Sequence, residues 1–177
     1  MNKKVLAIVA AAAVVVAGGA YLLKGNKAES SYSEGAIEVT HKLGTTVLEA
    51  APENIVVLDF GALDLLNEMD VNIVGLPKSG ILPEYLEEFS AEQYANVGSI
   101  KEPDLEAINE LNPDLIVMAG RMSDYYDEFS EIAPTIYVES DGADYINSFN
   151  TTTKMFGEVF DKEEKATEII AEVEGKI

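Results

Sequence analysis

A chain of 177 residues has room for one ordinary domain plus an N-terminal extension. Its formal net charge of -20 is unevenly spread: residues 1–28 hold four lysines and no acid, so only eight basic side chains face all thirty-two acidic ones in residues 29–177, a net of -24. Such a surface repels nucleic acid and anionic lipid, which excludes both as partners of the folded part, and the lack of cysteine removes disulfides, thiolate metal sites and cysteine nucleophiles.

Residues 1–28 read as a signal peptide or a membrane anchor leading into a tether. Lys3 and Lys4 precede a 19-residue uncharged run, residues 5–23, that Lys24 closes. The run nearly matches the roughly 20 residues that span a bilayer, and the basic flank equally suits a secretory signal. Ala17-Gly18-Gly19-Ala20 offers small residues for cleavage, whereas Tyr21-Leu22-Leu23 prolongs the apolar run as an anchor would. A buried core helix is the bland alternative. The stretch that follows, to Gly35, is rich in Lys, Ser, Gly and Glu and reads as a solvated linker.

Residues 37–40 (IEVT) and 46–49 (TVLE) alternate like two short strands around His41-Lys42-Leu43-Gly44, a hairpin. His41 is the sole histidine; with no second histidine or cysteine to help it, it reads as a turn residue rather than a metal ligand. Residues 55–58 (IVVL) form a buried strand with Asp59, Phe60 and Gly61 at its carboxyl end. Residues 62–69 are helical, with Leu63, Leu66 and Met69 on the apolar face, and residues 73–76 (IVGL) return as a strand. The crossover of such a βαβ unit is right-handed, so both strand ends share one edge with Pro77-Lys78-Ser79-Gly80. Lys78 is therefore a candidate ligand-binding cation, although a loop lysine is more often a solvated surface residue.

Residues 83–89 read as a short acidic helix. Residues 97–121 (VGSIKEPDLEAINELNPDLIVMAGR) are the most informative stretch. Pro103 suits the first turn of a helix, with Asp104 and Glu106 against its positive dipole end. Leu105, Ile108 and Leu111 supply its apolar stripe, and Asn112-Pro113 stops it. Leu115–Ala119 is an uninterrupted apolar run, as in a parallel strand covered on both faces. It ends at Gly120-Arg121. Ligands of open α/β sheets bind outside the carboxyl ends of such strands, and Arg121 is the only arginine in the chain. An ion pair with Asp124 is the competing reading.

Residues 124–132 read as a helix with Tyr125, Phe129 and Ile132 along it, leaving Tyr126 off the stripe and able to reach a cleft. Residues 135–138 (TIYV) form another strand, and residues 144–160 a helix broken at Asp161. A last helix starts at Lys162, with Ala166, Ile169, Ile170, Val173 and Ile177 in register. At sixteen residues it would span roughly 24 Å, and with no cap or glycine stop matched to its end, more chain is expected after it.

From residue 37 onward the chain resembles the N-terminal lobe of the periplasmic-binding-protein-like family that delivers ferric siderophores, haem and cobalamin to ABC importers. The segments HKLGTT, IVVLDFGALDLL, VGLPK, GSIKEPDLEAINELNPDLIVMAGR and DKEEKA most resemble the petrobactin- and catecholate-siderophore-binding lipoproteins of Gram-positive bacteria. The resemblance implies a Rossmann-like α/β lobe: a parallel sheet with flanking helices and an N-terminal hairpin over residues 29–161, and the start of an interlobe helix over residues 162–177. Two such lobes clamp the ligand in the family; the second lobe is not found here. By the same resemblance Arg121 contacts an anionic ferric siderophore, Phe60, Gly61 and the Leu76-Pro77-Lys78 loop line the cleft, and Glu106 docks on the ABC permease that works with its ATPase. Dipole stabilisation is the alternative reading for Glu106. The family's usual lipid-bearing cysteine is missing, so an uncleaved helix at the extracytoplasmic face of the membrane, or free secretion, is expected instead.

The function expected is thus that of a solute-binding component for iron uptake, carrying a ferric siderophore and no intrinsic cofactor. A haem or cobalamin binder of the same fold and a membrane-tethered interaction module without solute capture are the alternatives. An enzyme is disfavoured: the phosphate-binding glycine loops and the G-x-S-x-G elbow are missing, and no histidine stands near a nucleophile.

Overall fold

The computed structural model describes residues 35–177, so the signal or anchor expected over residues 1–28 lies outside it. Among the described residues no helix is long and apolar enough to cross a membrane. The chain opens with the expected hairpin, β1 (Ile37–His41) against β2 (Gly44–Leu48), in a register that pairs His41 with Gly44 and leaves Lys42-Leu43 as a two-residue turn. Five parallel strands follow: β3 (Ile55–Val57), β4 (Ile73–Leu76), β5 (Ala95–Asn96), β6 (Leu115–Ala119) and β7 (Thr135–Val138), in the order β5-β4-β3-β6-β7. The sheet is thus built from its middle: the chain starts at β3, grows outward through β4 to β5, then returns to the other side of β3 for β6 and β7.

The central strands do not alternate in hydrophobicity, because both of their faces are covered. Ile55, Val57, Leu115 and Val117 face a core made with α1 (Phe60–Glu68) and α4 (Tyr145–Phe160), whose Leu63, Leu66, Phe156 and Val159 are wholly buried. Val56, Leu58, Ile116 and Met118 face a second core with Ile108 of α2 (Leu105–Glu110) and Phe129 of α3 (Tyr126–Ile132). Burying each of these large side chains stabilises the fold by roughly 1.5–3 kcal/mol. The hairpin joins the first core through Val39 and Leu48 and covers the β7 edge, where Thr46 Oγ1 donates to the Thr135 carbonyl and Lys42 pairs with Glu139 at 2.6 Å.

Close approach explains two glycines. A Cβ on Gly75 would stand 2.6 Å from Leu111 Cδ1 and 3.1 Å from Val97 Cγ1, so a side chain there would force these core side chains to repack. A Cβ on Gly157 would stand 2.9 Å from Ala166 Cβ, where α4 meets α5 (Glu163–Glu174); Asp161, in the left-handed region at φ 55°, turns the chain between them.

The helix boundaries correct the sequence reading in several places. Pro103 is not inside the first turn: it precedes the cap, Asp104, whose Oδ1 accepts the Ala107 N–H at 3.0 Å, and a side-chain cap fixes the start more firmly than proline's φ does. The helix expected over residues 124–132 is two pieces, a 3-10 segment Gly120–Tyr125 and then α3. The acidic segment Glu84–Ser90 is also 3-10, and β5 is a strand that no apolar run announces. The last helix does have a glycine at its end, Gly175.

Candidate ligand-binding site

The strand order creates a switch point between β3 and β6, where the chain leaves the two strands toward opposite sides and a crevice opens at their carboxyl ends. Val57 pairs with Val117 and Leu58 N–H donates to the Val117 carbonyl at 2.8 Å, so the residues just beyond, Asp59-Phe60-Gly61 and Gly120-Arg121, emerge side by side. The sheet register thus brings together three of the expected site residues, Phe60, Gly61 and Arg121.

Each is held by its own local device. Asp59 Oδ1 accepts the Ala62 N–H at 2.9 Å, capping α1 and fixing Phe60 and Gly61 in its first turn. Phe60 is half-buried against the first core, and Gly61 is exposed. On the β6 side, Met122 is fully buried in the second core and anchors the 3-10 segment, while its neighbour Arg121 stays exposed. The salt bridges among the described residues are Lys42–Glu139 and Lys176–Glu172; Arg121 is in neither, so the ion pair with Asp124 does not form. An unpaired guanidinium at a switch point can offer two parallel N–H donors to a planar oxygen pair.

Lys78 sits one strand farther out with a different task. Its Nζ donates to the carbonyls of Ala91 and Tyr94 at 2.8 and 3.0 Å. The loop after β4 is lashed down by Asn96, whose Oδ1 accepts the N–H groups of Lys78 and Gly98 at 3.0 and 3.1 Å. Sequence reasoning passed over Asn96; the only signal was an amide at the end of an unannounced strand.

Tyr126, expected to reach toward a cleft, is half-buried beneath the hairpin turn. Its ring meets the His41 ring edge-on at 5.5 Å, and its hydroxyl lies 3.2 Å from the place of a Gly44 Cβ. His41 Nε2 stands 3.0 Å from Thr46 Oγ1. Since the Thr46 hydroxyl proton is given to Thr135, the imidazole must donate from Nε2, which leaves its buried Nδ1 without a partner. Burial pushes the His41 pKa below its ordinary value, against the opposing effect of a hydrogen bond with the Thr135 backbone. Glu106 is exposed in the first turn of α2, on the same sheet edge but apart from the switch point.

Two concavities lie elsewhere. One of about 280 Å³ is lined by Asn72, Ile73 and Tyr94, near the starts of β4 and β5, and one of about 440 Å³ lies between β2 and the end of α3. Both sit toward the amino ends of the strands.

An open parallel sheet covered by helices on both faces, with its carboxyl edge free, is the architecture of a single α/β lobe. The chain belongs to the periplasmic binding protein family, whose model matches residues 55–177. It is 43% identical over 145 residues to the petrobactin-binding protein YclQ of Bacillus subtilis, covering 80% of this chain and 45% of that protein. It is 30% identical to the ferric-anguibactin-binding protein FatB of Vibrio anguillarum, covering 81% of this chain and 46% of the relative. The crystal structure of YclQ superposes with a TM-score of 0.77 at 42% identity, over 80% of this chain and 51% of that one. The siderophore-binding protein BauB, bound to ferric iron with two acinetobactin molecules, gives a TM-score of 0.76 at 34% identity, over 79% and 51%. The chain therefore spans about half the length of the relatives it matches.

Proposed function

We propose that this chain forms the first lobe of an extracytoplasmic solute-binding component of an ABC importer, and that it receives a ferric siderophore at the β3–β6 switch point. The observation that carries the reading is Arg121: the sole arginine, exposed and unpaired, at the crevice of a lobe with a net charge strongly negative. Ferric complexes of catecholates and carboxylates are anionic, and a guanidinium suits their planar oxygen arrays. The names of the relatives point to the same ligand class and to binding rather than catalysis. In this reading Phe60, Gly61 and the backbone of the Lys78 loop line the ligand, while Tyr126 holds the hairpin turn beside it. Glu106, on the same edge, is the contact for the permease and its ATPase partner. Residues 162–177 begin the helix that joins two lobes, and residues 1–28 keep the lobe at the membrane or export it.

The test is a fluorescence titration of the purified chain, which has eight tyrosines and no tryptophan. Saturable tyrosine quenching by a ferric catecholate or carboxylate siderophore is expected. Arg121→Ala should weaken it roughly tenfold, the equivalent of one charge-assisted hydrogen bond. No saturation, or equal affinity in the variant, would reject Arg121 as the recognition cation.

A further inference from the structure

We infer that Asn96 is a positioning residue for the proposed binding edge: its carboxamide sets the shape of the loop after β4, residues 77–80. The inference rests on the switch-point reading above, in which that loop lines the ligand. β4 pairs with β3 through Val56↔Gly75, so the loop leaves the sheet beside the segment carrying Asp59, Phe60 and Gly61. On its other side it borders β5, and there the ladder of backbone hydrogen bonds breaks off. Val97 N–H still donates to the Leu76 carbonyl at 3.1 Å. The alternation of a parallel ladder would next send the Lys78 N–H to the Val97 carbonyl. That carbonyl instead accepts the Asp104 N–H at 2.9 Å, as the chain folds back toward α2. Pro77 has no N–H to give.

The Asn96 side chain fills that gap. Its Oδ1 accepts the N–H groups of Lys78 and Gly98 at 3.0 and 3.1 Å, and its Nδ2 donates to Ser79 Oγ at 3.0 Å. Ser79 N–H then donates to the Gly98 carbonyl at 2.8 Å, so backbone pairing between the two loops resumes. Gly98, at φ 96°, makes the turn that brings the second loop back. One carboxamide thus ties both loops together, accepting from two backbone donors and donating to a hydroxyl, which no hydrocarbon side chain can do. The Lys78 ammonium, held by the carbonyls of Ala91 and Tyr94 just before β5, lies on the side of the loop away from β3. The loop therefore meets a ligand with its lysine withdrawn and its backbone already ordered. Its contribution to affinity is the ordering cost that Asn96 removes before binding.

The experiment joins amide hydrogen exchange to calorimetric titration on the full chain, held in mild detergent, with ferric tris(2,3-dihydroxybenzoate) and, separately, ferric citrate as probes. Asn96 is exposed and belongs to neither core, so Asn96→Ala leaves the packing of the sheet intact. In that variant the Lys78 and Gly98 amides should exchange roughly tenfold faster, and both chelates should bind roughly two- to tenfold more weakly, as expected for lost hydrogen bonds. Asn96→Asp keeps the acceptor oxygens and should keep both amides slow. Unchanged exchange in Asn96→Ala, or faster exchange with unchanged affinity for both chelates, would overturn the assignment while leaving Arg121 in place. Failure of the unaltered chain to bind either chelate would overturn the switch-point reading, and the positioning role with it.

Discussion

His41 shows how one side chain can carry chemistry that the ligand does not need. Its ring is pinned between Thr46 and Tyr126, and protonation would place a charge on a buried Nδ1 that has no acceptor. Lys42, the next residue in the chain, is already paired with Glu139 at the exposed end of the turn. Because the folded-state pKa is depressed below the unfolded value of about 6.5, the unfolded chain binds more protons as pH falls through that value. Stability from this site is therefore full above about pH 6.5 and declines below it. Urea midpoints measured at pH 7.5 and pH 5.5 should fall with pH by less in His41→Gln than in the unaltered chain; an identical fall would show that the ring protonates freely. Legibility at this scale was uneven. Arg121 stood out because it is unique and follows an unbroken apolar run. Lys78 did not reveal its task, because its carbonyl partners, Ala91 and Tyr94, lie in a turn with no pattern that a sequence displays.

At the scale of elements, the junction of α4 and α5 depends on a missing side chain. Gly157→Val would place its branched carbon against Ala166 and the Glu163 backbone, so the helices must separate. A loss of roughly 1–3 kcal/mol in urea unfolding is expected, as for other overpacked sites. No loss would mean that α5 is only loosely seated on α4. The strands of the sheet were readable wherever burial on both faces had stripped out polar residues, as in β3, β4 and β6, and in β7 from its β-branched and aromatic run. β5 was not, because two residues, Ala95 and Asn96, make too short a pattern, and its role as an edge strand needs only backbone pairing to Gly75 and Leu76. The 3-10 segment after β6 was likewise hidden: only Met122 of its residues is buried, so no helical stripe announces it.

For the whole molecule, charge is the dominant surface property. At a net of -20 the folded chain repels itself, and screening should relieve this. Raising sodium chloride from about 10 to 150 mM, across which the Debye length falls from about 30 to 8 Å, should raise the thermal midpoint. A midpoint that fell or stayed constant would mean that the acidic groups are held mainly by favourable pairs. The strand order has a further consequence, for the sequence of events in folding. β3 is the first strand of the sheet to leave the ribosome, and β4 and β5 can pair only on one of its sides. The other side of the central strand, rich in β-branched apolar residues, keeps its hydrogen-bonding groups unanswered until Leu115–Ala119 arrives from nearly sixty residues downstream. The strand that brings Arg121 to the crevice is therefore also the one that closes the open edge of the nascent sheet. An interruption before it would leave an aggregation-prone edge as well as an empty crevice.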